Sequence, residues 1–327
     1  MSLNSTTNKK NIGVLCNPLS GRLNGRTTLI QQYVAEIPTT IYREAANREE
    51  FESVLKEFSS CELELLVVIA GDGTIQAVLS CLFGKQMFAV IPRLAIIPAG
   101  TTNMTAKDFK ISGRPNKVMK QLVQDFKQGK QSKYITRRVL RVQNGNKLPE
   151  YGMFFGTGII VSGVKYFSTR IRGSGLTGEK ASALVFLRFL FSLLKGHSKL
   201  ASEGTKTTIC VDEGDSGDEN CLTIFATSMN RLLFGLRPYW GMEEKPVHVT
   251  MVRQSPYSLW RCVWPLLVGR GHRLSEEDGY RSMNLSSLRL GMNADYVIDG
   301  EIYSADVAYG ELQITANDSI SVISFSK

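Results

Sequence analysis

Leu65-Leu66-Val67-Val68-Ile69 runs straight into Ala70-Gly71-Asp72-Gly73-Thr74, and Leu94-Ala95-Ile96-Ile97 runs straight into Pro98-Ala99-Gly100-Thr101-Thr102-Asn103. Each stretch is a short apolar run that empties into a turn of small polar residues. Between them Ile75, Val78, Leu79 and Leu82 recur at helical spacing, so a helix is expected over 74–82. Short apolar runs separated by an amphipathic helix predict parallel strands with crossover helices. In such a sheet, ligands sit at the carboxyl ends of the strands. Small residues there let a ligand approach the backbone, and exposed N–H groups suit phosphate.

The same grammar extends outward. Ile12–Cys16 reads as a first strand, followed by the polar loop Asn17-Pro18-Leu19-Ser20-Gly21-Arg22 and a helix over 26–37. A short strand is expected at 39–42. A helix is expected over 48–58, with Phe51, Val54, Leu55 and Phe58 on one face, and another over 118–127. From Tyr134 the pattern changes to short alternating segments: 134–143, 153–160, 207–211, 221–227, 247–252, 288–290, 296–298 and 312–314. Turn residues separate them, as in an antiparallel sandwich. The expected organisation is a doubly wound, mostly parallel α/β domain over 11–129, then an antiparallel β-sandwich domain over 130–305. The block 180–195 reads as a helix apolar nearly all round, expected to be buried or covered by a ligand.

Asn17-Pro-Leu-Ser-Gly, the Gly71-Asp-Gly-Thr turn, Pro98-Ala-Gly-Thr-Thr-Asn103 and Asp299-Gly300-Glu301 occur here in that order. Together they resemble the motifs of the diacylglycerol kinase catalytic family, which also holds sphingosine kinases and bacterial lipid kinases. The resemblance implies a phosphofructokinase/NAD kinase-like first domain binding ATP with Mg²⁺, and a second domain receiving a lipid alcohol. It also implies that 306–327 packs back onto the first domain. Phosphoryl transfer needs positioned phosphates, a metal and a base for the attacking hydroxyl. Asn17, Ser20, Gly21, Gly71, Asp72, Gly73, Thr74, Gly100, Thr101 and Asn103 are the expected nucleotide contacts. Asp72, a carboxylate among phosphate-binding glycines, reads as a metal or nucleotide ligand or as a helix cap. Asp299-Gly300 on bare sequence reads as a hairpin turn. The resemblance makes Glu301 the general base, with Asp299 and Asp72 in support. Arg22, Arg26 and Lys107 could neutralise phosphate, or be surface residues.

The sequence departs from the family pattern in four places, the first being Arg22, which follows Asn17-Pro-Leu-Ser-Gly in place of a string of glycines. Ala70 stands where the family has glycine, which keeps the turn only if φ is negative there. Phe154–Ile160 lacks the family's Asn, and Met242–Pro246 lacks the Asp-Gly of a magnesium loop, leaving Glu244 as the substitute ligand. Two other readings stay open: a non-catalytic nucleotide- or lipid-binding protein, and a soluble-substrate kinase of the NAD kinase type.

Composition sets bounds. The 327 residues leave room for two domains, and 43% apolar with 21% charged residues is ordinary for a globular protein. No apolar stretch reaches the roughly 18 residues that a membrane span needs. The polar start, residues 1–10, lacks a signal-peptide core, so the protein is expected in the cytoplasm. The six cysteines and three histidines are scattered without metal-ligand spacing. The net charge of +9 comes without a nucleic-acid motif and reads as a bias toward anionic membrane surfaces, giving peripheral membrane association. Residues 183–194 with Trp260, Arg261, Val263, Trp264, Leu266, Leu267 and Arg270 form the expected lipid-facing surface. The oligomeric state is open, a homodimer being one arrangement.

Overall fold

The computed structural model describes residues 11–174, 204–256, 265 and 270–324. The apolar block 183–194, the Trp260–Leu267 segment apart from residue 265, and residues 1–10 lie outside the described residues.

The chain opens with β1 (Asn11–Cys16), α1 (Thr28–Ala35), β2 (Thr40–Glu44), α2 (Arg48–Ser59), β3 (Leu63–Ala70), α3 (Asp72–Leu79), β4 (Arg93–Pro98), α4 (Met104–Asp108) and α5 (Pro115–Lys127). α2 begins where Asn47 Oδ1 accepts from the Glu50 N–H and the Glu50 carboxylate accepts from the Ala46 N–H, a reciprocal cap. Its expected stripe, Phe51, Val54, Leu55 and Phe58, is buried. α5 starts at Pro115, whose missing N–H costs nothing in a first turn. α3 is buried on almost every side, Gln76 included, and runs on into a π-helical turn at Ser80–Gly84. A single apolar stripe does not foretell that burial; the short strand at Glu150–Gly152 covers the other face.

β5 (Lys133–Arg138), β6 (Leu140–Asn144), β7 (Glu150–Gly152), β8 (Phe154–Thr157), α6 (Ile159–Ser174), β9 (Thr205–Val211), β10 (Gly217–Thr227), β11 (Val247–Arg253), β12 (Tyr280–Leu285), β13 (Ser287–Gly291), β14 (Ala294–Ile298), β15 (Glu301–Ala305), β16 (Leu312–Thr315) and β17 (Ser319–Ser324) follow. The first sheet has the order β2-β1-β3-β4-β17-β5, parallel from β2 to β17, with β5 antiparallel at the edge. Its strands β1, β3 and β4 are almost wholly buried, the mark of a sheet covered on both faces.

The second sheet is antiparallel throughout, running β15-β14-β8-β10-β9-β13-β16-β6-β7 with β11 and β12 attached at β10. β10 is shared, its first residues pairing with β9 and its later ones with β8 and β11. One apolar core draws Leu140, Phe155, Ile224, Val249, Leu288, Tyr296 and Ile314 from seven of these strands. The sheet therefore wraps around its own interior. This is the expected combination of a mixed parallel α/β layer and a large antiparallel sheet.

The segment read as one strand over 134–143 is broken at Val139. β5 lies in the first sheet and β6 in the second, and the returning chain breaks in the same way between β16 and β17. The Val139 N–H donates to the Asp318 carbonyl where the two crossings meet. A two-stranded ribbon thus ties the sheets together. Met153, Tyr151 and Met229 from the second part of the chain sit in the first sheet's core.

Candidate active site

The ends of β1, β3 and β4 deliver three loops to one place. The Ala99 N–H donates to the Ala70 carbonyl at 2.9 Å, and the Arg22 N–H to the Ala99 carbonyl at 2.8 Å. Gly71 and Gly100 touch backbone to backbone: a Cβ built on Gly100 would lie 2.5 Å from the Gly71 Cα. Only hydrogen at both positions allows that approach. Ala70 closes β3 outside the left-handed region, so its methyl group is compatible with the turn. Asn17 Nδ2 donates to Thr74 Oγ1 at 2.8 Å, tying the first loop to the start of α3, while Asn17 Oδ1 accepts from the Leu19 N–H. Gly21 faces Thr101 Oγ1. Asn103, left-handed at φ 49°, closes the third loop on itself through Gly100. The side chains of Asn17, Ser20, Asp72, Thr74 and Asn103 are all buried here.

Asp72 occupies a different place from a bare ligand in a phosphate cradle. Its Oδ2 accepts from Thr102 Oγ1 at 2.7 Å and from the Met104 N–H at 3.0 Å, and its Oδ1 accepts from the Thr105 N–H at 3.0 Å. It therefore caps α4, a neighbouring helix rather than its own, and staples the second loop to the third. Thr102 and the short helix α4 were not singled out from the sequence; their signal is the run of hydroxyl and amide residues at Thr101–Asn103. α3 itself begins at Gly71 with no side chain capping it. Its first-turn N–H groups are the free end of a helix dipole pointing into the glycine turn.

The C-terminal motif arrives from the second sheet. Asp299 and Gly300, at φ 47° and 97°, form the two-residue turn between β14 and β15, so the hairpin reading of Asp-Gly holds. The turn carries Glu301 onto the glycine loop: a Cβ built on Gly73 would meet Glu301 Oε1 at 2.5 Å. Glu301 is exposed and Asp299 is buried. Asp299 accepts from the Met153 N–H at 2.8 Å and the Phe154 N–H at 2.9 Å, locking the hairpin to β8. Burial pushes its carboxyl up to about 8. The Asp72 charge adds to that rise, and the two N–H donors oppose it. The Asp72 charge is thus felt at Asp299 across the two sheets.

Arg22 donates to the Gly113 carbonyl from an exposed position, Arg26 is exposed, and Lys107 lies in the last turn of α4. Glu244 stands exposed on the loop before β11. In that loop the Glu243 carboxylate accepts from the Asn284 N–H, which holds it below the usual carboxylate range. The cation there is the Lys245 ammonium, 2.6 Å from Asp212. Among the described residues no three His, Cys, Asp or Glu side chains cluster as a metal cage. A nucleotide's magnesium asks for less, one or two carboxylates beside the phosphates. Glu301, and the fourth lone-pair direction left on Asp72, fit that demand. Among the described residues no helix is long and apolar enough to cross a membrane.

The motif set and its convergence point one way. Residues 11–131 match the family model of the diacylglycerol kinase catalytic domain. This part of the chain is similar to the diacylglycerol kinase catalytic family. Among curated proteins, nothing matches the chain. Among solved structures, the fold is similar to a candidate diacylglycerol kinase from Bacillus anthracis str. Sterne, 15% identical over 99% of this chain and 98% of that one, TM-score 0.64. A second from the same organism, called a diacylglycerol kinase, is 14% identical over 97% and 98%, TM-score 0.59. A third, again a candidate diacylglycerol kinase, is 16% identical over 97% and 98%, TM-score 0.64. At these identities the likeness speaks for the fold. It extends past the matched domain to the antiparallel sheet that supplies Asp299 and Glu301.

Proposed function

We propose that the protein is an ATP-dependent lipid kinase, with the first domain binding nucleotide and the antiparallel domain binding a lipid that carries a free hydroxyl, such as a diacylglycerol or a sphingoid base. The observation that carries the reading is the meeting of Glu301 with Gly73, residues 228 positions apart, at the uncapped start of α3. The N–H groups of that helix start and the small side chains of Gly71, Gly73 and Gly100 suit nucleotide phosphates. Asn17, Ser20, Gly21, Thr74, Thr101 and Asn103 shape the same cradle. Bound Mg²⁺ supplies charge neutralisation on those phosphates.

Glu301 is exposed where an acceptor would enter. It takes the proton of the lipid hydroxyl as that oxygen bonds to the γ-phosphorus and the bond to the ADP oxygen breaks. Asp299 anchors the hairpin that delivers it. Asp72, by holding the second and third loops together, keeps the cradle closed. The net charge of +9 would bring the protein to anionic membrane surfaces, where such substrates reside. The test is transfer of labelled phosphate from ATP to a total lipid extract, wild type beside Glu301→Gln. A labelled lipid formed only by the wild type is expected. An equally active Glu301→Gln would remove Glu301 from the mechanism. Recruitment follows from sedimentation with anionic and neutral vesicles; equal binding would rule out the charge as a membrane signal.

A further inference from the structure

Among the described residues, β15 is the terminal strand of the second sheet, hydrogen-bonded to β14 alone. Its other side lies toward α3. Glu301 and Tyr303, two residues apart on a strand, share a face. Gly73 and Gln76, three apart on a helix, share another. The pairs match: Glu301 lies on Gly73, and Tyr303 Oη donates to Gln76 Oε1 at 3.3 Å. The strand therefore runs along the first turn of α3 in a set register.

That register is held by a chain of polar groups. Gln76 is 1% exposed. Its Nε2 donates to Ser80 Oγ and to Glu150 Oε2, each at 3.1 Å. Ser80 Oγ in turn accepts from the Tyr151 N–H at 2.8 Å. Arg48 Nη2 donates to both Glu150 oxygens at 2.7 Å. Because Glu150 can only accept, it turns the Gln76 amide so that its oxygen faces Tyr303. Burial and the Glu150 charge push the Tyr303 hydroxyl up to about 12, so it remains a donor throughout the neutral range. The Tyr303 ring stacks on Tyr296 with centroids 5.5 Å apart, and Tyr296 leans on Phe155. The ring is thus seated independently of its hydroxyl.

We propose that Tyr303 and Gln76 are positioning residues that set Glu301 against the glycine turn, with Glu150 and Arg48 anchoring Gln76 from the far side. This rests on the reading of Glu301 as the base. The contacts join α2, α3, β7 and β15, so they also fix the antiparallel domain onto the helix whose N-terminus faces the phosphates. None of the four side chains is placed to touch the reacting atoms; they act through Glu301.

Tyr303→Phe is the clean variant, since it keeps the ring stack and removes only the hydroxyl that bonds Gln76 and lies beside the Arg48 guanidinium. Wild type, Tyr303→Phe, Glu301→Gln and the double variant are compared using ATP and diacylglycerol in mixed micelles. Tyr303→Phe is expected to lower kcat about tenfold, the scale of one partly buried hydrogen bond, with KM for ATP within about twofold. It should cost nothing further in the Glu301→Gln background. A wild-type kcat, or the same loss in both backgrounds, overturns the brace. Hydrogen exchange gives a readout that needs no substrate: residues 301–305 should exchange faster in Tyr303→Phe while 63–70 do not, and unchanged exchange overturns the proposal. A Glu301→Gln variant as active as wild type overturns the base assignment itself, which is distinct from an essential Glu301 that Tyr303 does not affect.

Discussion

Asp72→Asn tests how the cradle is held. The carboxylate serves three donors, one hydroxyl and the first two N–H groups of α4. An asparagine offers one oxygen. Placed at the Oδ2 position, it keeps Thr102 Oγ1 and the Met104 N–H but turns an NH₂ toward the Thr105 N–H. One charge-assisted hydrogen bond is lost, at about 1.5–3 kcal/mol. The favourable meeting of a negative charge with a helix N-terminus goes too, at about 0.3–1 kcal/mol. The total is roughly 2–4 kcal/mol, a sizeable share of a stability on the order of 5–15 kcal/mol. At about 2–4 °C per kcal/mol, Tm falls by roughly 5–15 °C. Differential scanning calorimetry reads the shift, and circular dichroism at 20 °C should show the fold retained. Phosphate transfer should drop by orders of magnitude, because α4 and the Gly100 loop no longer hold their place. A variant whose Tm stays within about 1 °C of wild type would refute the staple, and a fully active one would remove Asp72 from the site altogether.

Gly100→Ala places a methyl group 2.5 Å from the Gly71 Cα, and since the obstacle is backbone, the variant should lose about 1–3 kcal/mol in urea unfolding together with nucleotide affinity. Gly217→Ala, with open space around the position, is the neutral control, and a Gly100→Ala midpoint equal to that control would show that the two loops separate freely. Asp299 carries a pH signature. Its carboxyl, about 8 when folded against an ordinary value of 3.8, keeps a proton that the unfolded chain releases, so its contribution to stability is complete below about pH 4 and is lost as pH rises through 8. Unfolding midpoints measured between pH 5 and 8 should therefore fall more steeply for wild type than for Asp299→Asn, and parallel profiles would contradict that.

Much of this was legible along the chain. The strands that close at Ala70 and Pro98, within a residue of the ends expected from the apolar runs, the stripe of α2 and the three small-residue turns are local features, each set by burial periodicity or by backbone sterics within a few residues. Asp299-Gly300 declared its turn for the same reason: left-handed φ values at adjacent positions select those residue types. Other features have no local cause. The run 134–143 alternates evenly, and nothing in it marks Val139 as the point where one strand passes from sheet to sheet; pairing with β16 and β17, nearly two hundred residues later, makes that break. Asp72 reads locally as a cap or a ligand of its own turn, yet its three donors come from residues 102–105.

The sequence by itself determined the menu: a parallel α/β layer with phosphate-suited glycine turns, an antiparallel partner sheet, and carboxylates of the kind phosphoryl transfer uses. Those properties follow from residue type and spacing, which act over a few ångströms along the chain. Tertiary structure alone decided which groups meet. Gly71 and Gly100 close against each other because adjacent parallel strands end together, and Glu301 reaches Gly73 because an edge hairpin of one sheet lies along a helix of the other. Gln76, Glu150 and Tyr303 are unremarkable polar residues in sequence. They meet only once three distant segments pack around Gln76, whose buried amide must find its partners in the protein.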